Sequence, residues 1–157
     1  MARESRLRGE IIELRNKSLH YIQKDPDRAI FLSTKIAQWW NDIEDLNDVP
    51  GRLQLSVYHL TVLKLLKHES IISLHRPILA ALREGAEYDA ALQLCIGSAR
   101  SIVTILFDAL RSRNESTTMQ STLTLLWPSC TWAIWISTFI LFYAASSNYL
   151  SHEVVIV

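Results

Sequence analysis

The chain of 157 residues contains four glycines, four prolines and two cysteines, and its 16 basic residues are balanced by 16 acidic ones. So little turn chemistry cannot build the many tight connections of a β-sandwich or barrel. Two cysteines, Cys95 and Cys130, are too few for a disulfide framework or a cysteine-rich zinc module. A formal charge of zero supplies no basic field to hold a nucleic-acid backbone, so no direct nucleic-acid contact is expected. The N-terminal residues mix Arg3, Glu4, Arg6, Arg8, Glu10 and Glu13 and hold no apolar run for a signal peptide. Four isolated glycines build neither a phosphate-binding loop nor a Gly-x-Ser-x-Gly elbow, and no His-Glu-x-x-His pair occurs. No catalytic residue, metal ligand or cofactor is expected in this chain. What is abundant is apolar residues, at 49%, in a length suited to about one domain at roughly 150 residues each. The composition predicts an all-α fold, a helical array of about five to seven helices around a nearly uncharged central helix.

Periodicity orders these helices along the chain. Leu7, Ile11, Leu14, Ser18 and Ile22 recur at helical spacing and predict a first amphipathic helix over 4–21. Asp25 and Pro26 read as N-cap and first position of a second helix carrying Ala29, Leu32, Ile36, Trp39 and Trp40 on one face. Residues 41–51, acidic and closed by Pro50-Gly51, read as a loop. From 52 to 76 neither glycine nor proline interrupts, and Leu55, Tyr58, Val62, Leu65 or Leu66, and Ile72 form a stripe. Pro77 is expected to kink or break that helix. Residues 86–113 give the clearest signal: Tyr88, Leu92, Cys95, Ala99, Ile102, Leu106 and Leu110 face one way, with Asp89, Gln93, Arg100, Thr104, Asp108 and Arg111 opposite. A polar linker, 114–121, leads to an apolar segment, 123–145, within a run from 116 to 152 that lacks any Asp, Glu, Lys or Arg. Such a helix is either buried or in lipid. The apolar terminus Glu153-Val154-Val155-Ile156-Val157 reads as a chain that stops before its domain is complete, so 1–157 is read as a single, truncated helical domain.

His59, His68 and His75 stand nine and seven residues apart, which is not the i, i+4 spacing that puts two imidazoles on one metal. They read as polar or capping residues. Cys95 and Cys130, each inside an apolar run, read as core thiols.

Several local patterns, in order, resemble the middle-homology or regulatory domain of fungal-specific transcription factors, the all-helical region that follows a binuclear zinc-cluster DNA-binding domain. Leu32 to Trp40 looks like the helix of that family ending in an aromatic pair, and Leu55-Ser56-Val57-Tyr58-His59 followed by Ile72-Ser73-Leu74-His75-Arg76-Pro77 looks like its signature. Cys95 to Ile102 and the stretch from Trp127-Pro128 to Ala144-Ala145 resemble the helices that follow. The likeness covers roughly residues 10–149. The sequence departs from the pattern in two ways: residues 63–70 look like an insertion of about two helical turns, and the zinc cluster is missing.

The resemblance implies a regulatory domain acting in the nucleus through protein partners of the transcription machinery, a sister zinc-cluster domain, a second copy of the chain, or an apolar effector. Zinc would belong to the missing DNA-binding module. Tyr58, His59, His75, Arg76 and Pro77 are the structural signature, with Arg76 expected as a buried clamp on carbonyls freed by Pro77. Trp39, Tyr58, Trp127, Trp132 and Trp135 are the expected walls of an effector pocket. The alternative is a small single-pass membrane protein spanning 123–145; Arg111 and Arg113 before the span place its N-terminus in the cytoplasm.

Overall fold

Helical periodicity becomes five α-helices in the computed structural model, which describes residues 2–16, 27–48, 55–112 and 127–147. They are α1 (Ala2–Asn16), α2 (Asp27–Asp48), α3 (Val57–Ala81), α4 (Ala86–Ser112) and α5 (Trp127–Ser146), with no strand among the described residues. The fold is all-α.

Helix α3 organises the array because it is apolar on two sides. Against one side, Leu7, Ile11 and Leu14 of α1 meet Leu32, Ile36, Trp39, Trp40 and Ile43 of α2 around Leu74. Against the other, Leu65 and Ile72 of α3 join Ala99, Ile102 and Leu106 of α4 and Ala133 and Ile136 of α5. A third cluster closes the far end, where Tyr88, Leu92 and Ile96 of α4 pack on Ala144 of α5. Burying each Leu or Ile of these stripes contributes about 1.5–3 kcal/mol, so the stripes, more than helix propensity, fix which faces turn inward.

The start of α3 is capped by Ser56, whose side chain accepts from the His59 backbone N–H at 3.4 Å. Gly85, at φ 109°, makes the turn into α4 in a region that a side chain disfavours. An ionic group ties α1 to α2: Lys35 Nζ donates to Glu10 Oε2 at 2.7 Å, with Arg28 at 4.0 Å from the same oxygen. Lys35 holds the Glu10 carboxyl below its usual range through that hydrogen bond, against a smaller upward push from burial.

Several expectations are corrected. The acidic stretch 41–51 is not a loop over 41–48: α2 continues to Asp48, because Ile43 is buried on the core face and the Trp40 indole N–H donates to Glu44 Oε1 at 2.6 Å across one turn. Residues 49–51 lie outside the described residues. Of the kink or break expected at Pro77, the break does not occur, since the third helix runs on to Ala81. The chain loses one N–H there, yet the buried proline ring is held by packing and the ladder resumes, with Leu82 N–H donating to Ile78 O at 2.9 Å. Leu110, expected on the inner face of α4, is exposed. The uncharged helix is not central either. Helix α5 lies at the edge of the array, packed mainly on α4, with Ala133, Ile136, Ser137 and Ala144 inward and a row of large side chains outward. The small residues Ala133, Ser137 and Ala144 allow close approach on one side only. The polar linker 114–121, the first part of the apolar segment, 123–126, the caps Asp25 and Pro26, and residues 17–21 lie outside the described residues.

Candidate functional site: a groove between α3 and α5

Two stripes with matching spacing face each other across the edge of the array. Ile72, Arg76 and Leu79 recur at i, i+4 and i+7 on α3, and Trp132, Trp135 and Phe139 recur at i, i+3 and i+7 on α5. Helical geometry puts each set on one face. Between them runs a groove of about 380 Å³, with Ile136, Ile140 and Cys95 at its inner side. That volume falls in the range of small-molecule sites, about 300–1,000 Å³.

The α5 wall is aromatic and wet. Trp132 is 50% exposed, Trp135 57% and Phe139 61%, and the Trp135 and Phe139 rings lie 5.4 Å apart. The stripe continues past the groove through Phe142 and Tyr143, both exposed. Tyr143 is anchored at the far end, where its hydroxyl meets that of buried Tyr88.

Arg76 is the one charged residue on the groove lining. It is exposed, which corrects the expectation of a buried clamp: because α3 continues through Pro77, the side chain is carried outward beside the groove. It has no ion pair with any described residue. The expected pocket is only partly assembled. Trp132 and Trp135 line the groove, but Trp39 is buried with Trp40 in the α1–α2 cluster, and Tyr58 is half-buried beside His59 near the start of α3, with ring centroids 5.3 Å apart. The side chain of Trp127 lies outside the described residues. His59 serves the N-terminus of α3, its Nδ1 lying 2.7 Å from Ser56 Oγ. Burial pushes the His75 imidazole below its usual range and takes that of His68 down to about 4, with Lys67 adding to the latter. Ile72, expected on the apolar stripe of α3, and Leu79, Phe139 and Ile140 were not among the expected pocket walls; the shared spacing of the two stripes was the available signal.

Neither thiol is poised as a nucleophile. Burial raises Cys95 to about 12, and burial, followed by the charge of Glu69, raises Cys130. Among the described residues no group of three or more His, Cys, Asp or Glu could hold a metal ion, and two cysteines cannot supply a binuclear zinc cluster. One helix among the described residues is long and apolar enough to cross a membrane, α4 over Ala86–Arg111; it is the helix sandwiched between α3 and α5, with 44% of its apolar window buried. The apolar part of α5, Cys130–Ser146, is shorter than that.

Compared with known proteins, the chain is 28% identical over 158 aligned residues to a protein named as probable transcription factor FUP6, from Fusarium proliferatum (strain ET1). The alignment covers 95% of this chain and 21% of that relative, so the chain spans about a fifth of its length. No family model matches, and no solved structure matches.

Proposed function

We propose that this chain is a helical regulatory segment of a fungal zinc-cluster-type transcription factor, working in the nucleus by binding a protein partner or an apolar effector and not by reading DNA itself. The observation that carries this reading is the distant likeness to a probable transcription factor, which runs through 95% of the chain. Its helices agree with a regulatory role: an aromatic outer face on α5 with a groove beside it, and an outer face on α4 where Leu94, Val103, Phe107 and Leu110 are exposed among polar residues. The charge balance, 16 against 16, supplies no net basic field for a phosphate backbone.

Fractionation of the tagged full-length chain tests this, by nuclear isolation beside carbonate extraction of membranes. Recovery with nuclei, or in the carbonate-soluble fraction, is the expected outcome. A carbonate-resistant pellet would mean that an apolar helix is in lipid, and the transcriptional reading would fall. The membrane reading keeps one observation in its favour, the row of exposed aromatic residues on α5.

A further inference from the structure

The groove between α3 and α5 has an apolar floor, an aromatic wall and a single cation at its rim, and that combination selects its occupant. Ile72, Ile136 and Ile140 offer no hydrogen bond, so the body of a ligand there must be apolar. Helix α5 contributes no charge at all from Trp127 to Ser146. The guanidinium of Arg76 is therefore the only charged group on the lining, beside the neutral indole N–H donors of Trp132 and Trp135, and it is not engaged by any described residue. Arginine presents planar, forked donors suited to two oxygens of one carboxylate. A volume of about 380 Å³, at roughly 30 Å³ per water-sized group, holds about a dozen non-hydrogen atoms.

From this the geometry points to a small organic carboxylate as the occupant: an apolar body of about ten carbons lying against Trp132, Trp135 and Phe139, with its carboxylate on Arg76. The inference rests on the regulatory reading and names the class of effector. It is a site at the open edge of the fold, so the ligand enters without rearrangement of α3 or α4. A cationic or uncharged molecule of the same length gains the apolar contacts and lacks the ion pair.

Isothermal titration of the full-length chain with decanoate, decanol and decyltrimethylammonium, each below its aggregation concentration, tests the proposal. Decanoate should bind at a stoichiometry of one and roughly tenfold or more tighter than decanol, the size of one charge-assisted contact. Arg76→Met should remove that preference, bringing decanoate to the affinity of decanol, and Arg76→Lys should restore part of it. Trp132→Ala should weaken decanoate and decanol alike. Because Arg76 is exposed, the far-UV circular dichroism of R76M should match that of the parent chain. Equal affinity for the three probes, binding at several sites per chain, or an unchanged decanoate affinity in R76M would overturn it. So would sedimentation showing a dimer that decanoate does not dissociate, since a second copy would then fill the groove. These readouts do not depend on where the chain resides in the cell, so a membrane location would defeat the regulatory reading without deciding this one.

Discussion

Arg8 on α1 reaches across to Glu69 on α3, with Nη2 and Oε2 3.7 Å apart, and the Glu69 side chain is only 5% exposed. A carboxylate so deeply placed needs a compensating charge, and Arg8, partly exposed, brings one from a different helix. Arg8→Ala should destabilise the fold by about 1–3 kcal/mol, because the buried acid is left behind. Arg8→Ala combined with Glu69→Gln should recover much of that loss in urea unfolding. Additive losses from the two changes would show that they do not act as a pair.

Tyr88 and Tyr143 join α4 to α5 hydroxyl to hydroxyl, 55 residues apart in the chain. Tyr143→Phe keeps the ring and removes one partner, and should cost about 0.5–1.5 kcal/mol. A double-mutant cycle with Tyr88→Phe should give a coupling energy clearly different from zero. A value indistinguishable from zero would assign the docking of this end of α5 to apolar packing alone.

The half-buried imidazole of His68 makes stability depend on pH in a stated direction. Its value falls from 6.5 to about 4 on folding, so below about pH 6.5 the unfolded chain takes up a proton that the folded chain refuses. Stability is flat with respect to this group above that pH, decreases between about 6.5 and 4, and levels off below. The shift corresponds to about 3 kcal/mol, which solvent screening of a half-buried ring reduces to an expected loss on the order of 2 kcal/mol. Denaturant midpoints measured at pH 7.5, 5.5 and 4.5 would follow it, and His68→Gln should flatten the slope.

Cys95 and Cys130 should differ in reactivity towards an aromatic disulfide reagent at pH 8. Cys95 is fully buried and its thiol is held near 12, so it should remain unmodified until the chain unfolds. Cys130, half-buried and less perturbed, should react slowly in the native state. Two thiols titrating at the rate of a free cysteine would contradict the packing of α4 against α5.

Removing residues 116–157 should leave Ala99, Ile102 and Leu106 without the cover that α5 provides. The shortened chain is expected to associate or aggregate, as light scattering or sedimentation would show. A monodisperse 1–115 fragment with native helicity would mean that α5 is not part of the core.

The sequence carried the helices well where apolar residues recur at constant spacing. Leu7, Ile11 and Leu14 on α1, and Tyr88 through Leu106 on α4, face inward as their pattern demands. Three features were not legible in this way. The acidic residues after Trp40 look like a loop by composition, but Ile43 and the Trp40–Glu44 hydrogen bond continue the helix. Pro77 reads in sequence as a kink or a break, and the helix runs through it with the proline ring buried. The groove depended on which helices become neighbours. Trp39 and Trp132 are equally aromatic in sequence, yet one ends in the α1–α2 cluster and the other on the outer face of α5, and no periodicity within a single helix encodes that separation.

The turn at Gly85 joins α3 to α4 within a few residues, and these two helices form the most extensive pairing in the fold. Contacts so local in sequence cost little loop-closure entropy and can form before distant ones. That locality predicts an order of assembly, the α3–α4 hairpin first, then the flanking helices, with α5 arriving across the longer connection 113–126. The groove has one wall on the early hairpin and one on the late helix, so any molecule that occupies it also holds the last step of folding in place.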